Sequence, residues 1–127
     1  MQEKTLYEYA IIRVVPRVER EEFLNIGVIL FCAKQKYLQI KYIVEPKRLR
    51  ALHATLDLDE LEAHLEALEK ICAGAKQGGP IGSLDLPSRF RWLTATRSTI
   101  VQTSKVHPGF CVDPLQTLEK LYLNMVL

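Results

Sequence analysis

The chain has 127 residues, a formal net charge of +2, 48% hydrophobic residues and 25% charged residues. This length suits one core, so we expect residues 1–127 to form a single domain. No apolar run approaches the ~20 residues that span a bilayer, and the N-terminus lacks the regions of a signal peptide. The composition therefore predicts a cytoplasmic globular protein and argues against a membrane protein.

The residue types that commonly hold metals or perform catalysis are scattered along the chain. Three cysteines and three histidines lie far apart, and no CxxC, HxH or HExxH spacing occurs. The chain also lacks a GxSxG nucleophile motif, and its GGPIG stretch lacks the GK[ST] ending of a phosphate loop. We therefore predict reduced cysteines, no metal site and no cofactor, and we favour a binding function over catalysis.

The charges are distributed unevenly. Residues 57–73 hold six acidic residues and one lysine, while the rest of the chain carries an excess of lysine and arginine. Such polarity permits an anionic partner on one surface and a basic partner on another. The alternative interpretation is a solvated acidic helix on an ordinary, mildly basic domain.

The first part of the chain predicts three strands and two helices. Residues 7–16 and 26–33 are apolar on both faces, which is typical of interior strands, and residues 37–44 alternate between apolar and polar. Pro46 can begin a short helix. Asp57 and Glu60 form a capping box that predicts a helix over residues 57–73.

The second part of the chain is predicted to return to the sheet. Residues 78–82 read as a loop, and residues 88–94 alternate, with Phe90 and Trp92 opposite Arg89 and Arg91, as in a strand. Residues 98–104 read as a polar strand and residues 107–109 as a turn, before Asp113 caps a last helix. The expected fold is α+β: an antiparallel sheet of about five strands with helices packed on one face.

A charged connection, RVVPRVEREEFLN at residues 13–25, joins the first two predicted strands. Arg13 lies in an apolar strand and needs a partner, because an unpaired buried charge is costly. In one interpretation, a glutamate of the connection folds back over Arg13 and an ion-pair network fixes the hairpin. In the other, Arg17 and Arg20 face a cleft with Asn25 and bind an anion.

The same region resembles a known family. YEYAIIRVVPRVEREEFLNIGVILFC is similar to the opening of an uncharacterised bacterial family, domain-of-unknown-function family 3037. The matching residues are Arg13, Val15, Pro16, Arg20, Glu22, Asn25, Gly27 and Val28. GPIG and RFRWLTATRSTIVQTSKVHPGFCVDP resemble its C-terminal half. The chain departs from the pattern at Arg17, where many members have Asp, and at Arg91 and Thr96, where similar members have His and Pro.

The resemblance carries no assigned activity, but it does imply a kind of partner. Genes of this family are associated with neighbours that encode toxin-type serine/threonine kinases. The resemblance therefore implies a protein partner, with a kinase encoded nearby as a candidate.

We predict a small non-catalytic binding or regulatory module that contacts a protein partner through its acidic helix or its arginine cluster. The candidate ligand- or partner-binding residues are Arg13, Arg17, Arg20, Glu22, Asn25, Arg97 and Ser98. The alternative function is nucleic-acid or phosphate binding by basic strands and loops. The candidate nucleic-acid contacts are Lys47, Arg48, Arg50, Arg89 and Arg91. A third hypothesis, an enzyme, requires Glu22, Asn25, Arg97 and Ser98 to converge in one pocket.

Overall fold

The computed structural model describes residues 3–74, 78–97 and 99–127. In chain order its elements are β1 (Thr5–Val14), a 3-10 turn (Val18–Arg20), β2 (Leu24–Cys32), β3 (Tyr37–Tyr42), α1 (Pro46–Leu52), α2 (Leu58–Ala73), α3 (Gly79–Gly82), α4 (Leu86–Leu93), β4 (Val101–Thr103), β5 (His107–Cys111) and α5 (Pro114–Met125). No helix of the described residues combines the length and the apolar character that crossing a bilayer would require.

The strands form one antiparallel sheet with β1 at its centre. β1 pairs with β2 on one side, and β3 continues the sheet beyond β2. On its other side β1 pairs with β5 along residues 5–9 and with β4 along residues 12–14. The predicted α+β class with a five-stranded antiparallel sheet is confirmed.

Both faces of the sheet are covered, because β1 and β2 are apolar on both sides. Ile12 and Val14 pack into a core with Leu49 of α1 and Phe90 of α4, to which α2 contributes its leucine stripe. The predicted layer of helices on one face is thus present. Ile11 of β1 points the opposite way and packs in a second core that α5 covers. Successive side chains of a strand point to opposite faces, so one apolar strand supplies both cores.

Local sequence signals set the helix starts. The Asp57 carboxylate accepts a hydrogen bond from the Glu60 amide at 3.1 Å, and α2 begins at Leu58, directly after Asp57. The Asp113 carboxylate does the same for the Leu115 amide at 3.0 Å, and Pro114 occupies the first position of α5. These side chains satisfy amides that have no partner within the first turn of a helix.

The largest departure from the predicted elements is α4. The strand predicted over residues 88–94 was wrong, because this segment is helical. The Asp85 carboxylate accepts from the Ser88 amide at 2.8 Å, which caps the helix. Phe90 and Leu93, three residues apart, are buried, whereas Trp92 is 36% exposed. Phe90 stacks on Phe31 of β2, with ring centroids 5.1 Å apart, and this contact selects the helical spacing.

Two shorter predictions were also wrong. The turn predicted at residues 107–109 is part of β5, where Pro108 stands opposite Glu8 of β1. Proline is tolerated there because β5 is an edge strand. The loop predicted at residues 78–82 contains the single helical turn α3. Of the strand predicted over residues 98–104, β4 spans Val101–Thr103, and Ser98 lies outside the described residues.

Candidate functional site

Arginine–glutamate pairs form within the charged connection between β1 and β2. The Nε atom of Arg17 donates to Glu19 Oε1 at 2.7 Å, and Arg20 pairs with Glu22 in the same way. A backbone hydrogen bond and, after it, the bond to Arg17 lower the pKa of Glu19, and the bond to Arg20 lowers the pKa of Glu22. Both pairs are exposed to solvent, where an ion pair is screened and contributes little to stability.

A cleft lies between this connection and the C-terminal end of α1. It has a volume of about 410 Å³, and its lining includes Arg17, Arg20, Glu22 and His53. The cleft thus brings together three of the predicted site residues. Each arginine that faces it already has a carboxylate partner, so the cleft does not present an uncompensated positive charge.

Arg13 and Asn25 lie apart from this cleft. They are direct cross-strand neighbours on β1 and β2, beside an irregularity in the register at Ile12 and Arg13. Asn25 donates from Nδ2 to the Met125 carbonyl at the C-terminal end of α5, at 3.2 Å. Because Leu24 packs on the core beneath the other helices, Asn25 faces the α5 side of the sheet.

Arg13 does not have the partner predicted from the sequence. Its guanidinium carbon lies 4.0 Å from the centre of the Phe23 ring. Its Nε atom is buried and has no hydrogen-bond partner among the described residues, and the carboxylates of Glu19 and Glu22 bind Arg17 and Arg20 instead. Burial lowers the pKa of Arg13. The prediction that a glutamate folds back over Arg13 was therefore wrong.

We call Arg13, Phe23, Asn25 and Met125 the Arg13 surface. Phe23, which contacts the guanidinium group, is 46% exposed, and Met125, whose carbonyl accepts from Asn25, is 42% exposed. The Oδ1 atom of Asn25 is also buried without a hydrogen-bond partner in the described residues. Phe23 and Met125 were not among the site residues predicted from the sequence. Phe23 carried a signal, since it is an apolar residue in a connection that is otherwise charged.

Arg97 has a clear structural contact. Its Nη1 donates to the Leu93 carbonyl at 3.4 Å and its Nη2 donates to the Trp92 carbonyl, so the side chain caps the C-terminal end of α4. The guanidinium carbon lies 4.2 Å from the Trp92 ring centre. Burial lowers the pKa of Arg97, as it does for Arg13. The two arginines differ in one respect: Arg97 has carbonyl acceptors.

The predicted nucleic-acid contacts do not form a row along a strand. Arg89 donates to the Gly82 carbonyl at 3.3 Å, and Arg48 donates to the Val126 carbonyl at 3.2 Å. Lys47, Arg50 and Arg91 are exposed on helices α1 and α4. Because residues 88–94 are helical, Arg89 and Arg91 cannot alternate along a strand to follow a phosphate backbone. Nucleic-acid binding itself stays a prediction.

The residues required for the enzyme hypothesis do not share a pocket in the described part of the chain. Glu22 lines the cleft beside α1, Asn25 contacts the end of α5, and Arg97 caps α4. Ser98 lies outside the described residues. Nor do the described residues contain a group of three side chains that could hold a metal ion.

The comparison with known proteins yields a family. A family model described as "Protein of unknown function (DUF3037)" matches residues 9–126. The chain belongs to this family. The DUF3037 match includes both the Arg13 surface and the cleft beside α1, and it confirms the resemblance seen in the sequence. A search of curated proteins found no match. A search of solved structures found none either.

Proposed function

We propose that this DUF3037 protein is a non-catalytic binding module that contacts a protein partner through the Arg13 surface. The partner would place an acidic group, such as an aspartate or glutamate side chain, against the Arg13 guanidinium. One observation carries the proposal: Arg13 is partly buried and held on Phe23, yet its buried Nε has no acceptor among the described residues.

The chemistry of a fixed arginine supports an acidic ligand. A guanidinium group offers donors in a planar fork that matches a carboxylate with two parallel hydrogen bonds. A buried donor without an acceptor costs free energy in the unbound protein. A carboxylate that supplies the acceptor would remove this cost on binding, so the unbound protein is prepared for an anion.

The apolar neighbours of Arg13 support a protein rather than a small ion as the ligand. Arginine, aromatic residues and methionine are enriched at protein interfaces, and arginine is prominent among the residues that contribute most to binding. Phe23, which contacts Arg13, and Met125, which is hydrogen-bonded to Asn25, are exposed and would be covered by a partner. Water excluded by these side chains would strengthen the ion pair at Arg13.

A pull-down from cells that produce the protein tests the proposal. Wild type is compared with Arg13→Met and Phe23→Ala, and Arg50→Met is the control because Arg50 is exposed on α1. We expect one protein to be captured at moderate salt after nuclease treatment, by wild type and the control but not by the other two variants. A toxin-type serine/threonine kinase encoded nearby is the first candidate, and the purified kinase is then titrated against the same variants.

Two results would contradict this function. Equal capture by wild type and Arg13→Met would show that the partner binds elsewhere. Captured nucleic acid that is released by salt would favour the alternative function, because phosphate contacts give affinities that fall steeply with added salt.

A further inference from the structure

The outer edge of β3 is a second place where the described structure offers unused binding groups. β3 pairs with β2 on one side and has no strand partner on the other among the described residues. The register between the two strands runs from Gly27–Tyr42 to Cys32–Tyr37 without a shift. An edge of this kind is a template for another extended chain.

The hydrogen bonds between β2 and β3 show which groups are free. The Ile43 amide donates to the Ile26 carbonyl at 2.9 Å. Hydrogen-bonded pairs alternate along an antiparallel ladder, so the amides of Gln39 and Lys41 also face β2. The amides and carbonyls of Leu38, Ile40 and Tyr42 therefore point away from β2. Leu38 is only 3% exposed, so the accessible groups are those of Ile40 and Tyr42, which are half-buried.

Two features that often protect an edge strand, a proline and a lysine that extends across the edge, are missing from β3. The other edge of the sheet includes β5, whose Pro108 has no amide hydrogen to donate. β3 contains no proline. Lysine side chains on an edge strand often prevent it from pairing with another chain. Lys41 of β3 lies over the Tyr122 ring of α5, with Nζ 4.9 Å from the ring centre, and so does not extend across the edge.

A groove runs beside this edge on the α5 face of the sheet. Its volume is about 400 Å³, and it lies between Tyr37, Gln39 and Lys41 of β3 and Leu115 and Glu119 of α5, with Leu118 also in its lining. Leu115 is 53% exposed. The hydroxyl group of Tyr37 is buried without a hydrogen-bond partner in the described residues. Grooves between an edge strand and a helix bind extended peptides in other proteins, with main-chain hydrogen bonds giving affinity.

The charges on both sides of the edge indicate the chemistry of the occupant. On one face, the Tyr42 hydroxyl donates to Glu69 Oε1 at 2.6 Å, and Glu66 lies one turn earlier on α2. On the other face, Glu119 lines the groove. Among the described residues that line the groove and the neighbouring face of α2, the cations are Lys41, which is held on Tyr122, and Lys70, which follows Glu69.

We propose that the free edge of β3 binds an extended, basic peptide segment of a partner protein as an added strand. The main chain of that segment pairs with Ile40 and Tyr42. Its lysine or arginine side chains lie near Glu66 and Glu119. This surface is separate from the Arg13 surface and selects the opposite charge, so either proposal can fail while the other stands.

Hydrogen exchange with a synthetic probe tests the proposal. The probe is a peptide of alternating lysine and valine, about eight residues long, slightly longer than a typical strand. In the free protein we expect rapid exchange of the outward amides of Ile40 and Tyr42 and slow exchange of the inward amides of Gln39 and Lys41. Saturation with the probe should slow the two outward amides at least tenfold.

Two matched controls separate strand addition from simple attraction. Polylysine of equal length has more charge but a lower tendency to form strands, and should leave the outward amides unprotected. Glu66→Gln combined with Glu119→Gln should weaken probe binding roughly two- to fivefold for each charge removed. Asp59→Asn removes the same charge from the opposite end of α2 and should leave binding unchanged.

The proposal is overturned by any of three results. Outward amides that are already protected in the free protein would show that the edge is paired, for instance with a second copy of the chain. A probe that leaves those amides unprotected would show that no strand is added. Equal protection by a peptide of alternating glutamate and valine would remove the charge selectivity.

Discussion

Replacing Arg13 by methionine should leave the protein as stable as wild type or make it more stable. Arginine retains a buried Nε donor without an acceptor in the described residues, which costs about 1–3 kcal/mol. Its contact with the Phe23 ring stabilises the folded protein by about 0.5–1 kcal/mol. Methionine has no donor and can keep a favourable sulfur–aromatic contact with Phe23. We therefore expect the free energy of unfolding to rise by about 0–2 kcal/mol.

Arg97→Met is the matched control, because Arg97 is also partly buried and also stacks on an aromatic ring. This variant loses hydrogen bonds to the carbonyls of Trp92 and Leu93 at the end of α4. Hydrogen bonds from a charged group contribute about 1.5–3 kcal/mol when well formed. Since one of these is long, at 3.4 Å, we expect the free energy of unfolding to fall by about 1–2 kcal/mol.

Urea denaturation followed by far-ultraviolet circular dichroism measures both variants. Tryptophan fluorescence is unsuitable, since the single tryptophan is Trp92, which Arg97 contacts. The urea concentration at the midpoint of unfolding should rise for Arg13→Met and fall for Arg97→Met. The dependence of the unfolding free energy on urea concentration should stay the same in both variants. If Arg13→Met were destabilised as strongly as Arg97→Met, Arg13 would stabilise the folded protein through contacts of its own. The proposal that the Arg13 surface binds an anion would then be wrong.

Three further predictions concern the sheet and its cover. Gly27→Ala should destabilise the protein by about 1–3 kcal/mol. The added Cβ would lie 2.7 Å from the Lys41 carbonyl oxygen and 2.7 Å from Tyr42 Cβ, which is too close for unbonded atoms. An unchanged midpoint of urea unfolding would contradict this prediction. Burial and the bond to Glu69 raise the pKa of Tyr42, so its contribution to stability is complete below the unfolded value of 10 and is lost as the pH rises above it. Tyr42→Phe should show a weaker fall in stability above that pH, and parallel curves for the two proteins would refute the assignment. Burial raises the pKa of Cys72 to about 12, so the native thiol should resist iodoacetamide at mildly alkaline pH until the protein unfolds, which mass spectrometry can follow.

The site could be predicted from the sequence only as a set of residues. Arg13, Arg17, Arg20 and Asn25 are close along the chain and were predicted to belong to one site. Alternation along the strands sends Arg13 and Asn25 to the α5 face, while the arginines of the connection lie beside α1 and pair with nearby glutamates. The distances between side chains in the folded protein decide which arginine has a donor without an acceptor. Closeness along the chain does not predict these distances.

Elements with several local signals could be predicted from the amino-acid sequence alone. Asp57 and Asp113 mark helix starts, and the apolar runs on both faces of β1 and β2 identify interior strands, because capping and alternation act within a few residues. Tertiary contacts decided the rest. Over the eight residues of α4, strand and helix spacing fit almost equally well, and packing of Phe90 on Phe31 selects the helix. β5 is a strand only because β1 offers an edge on which a segment with proline can pair.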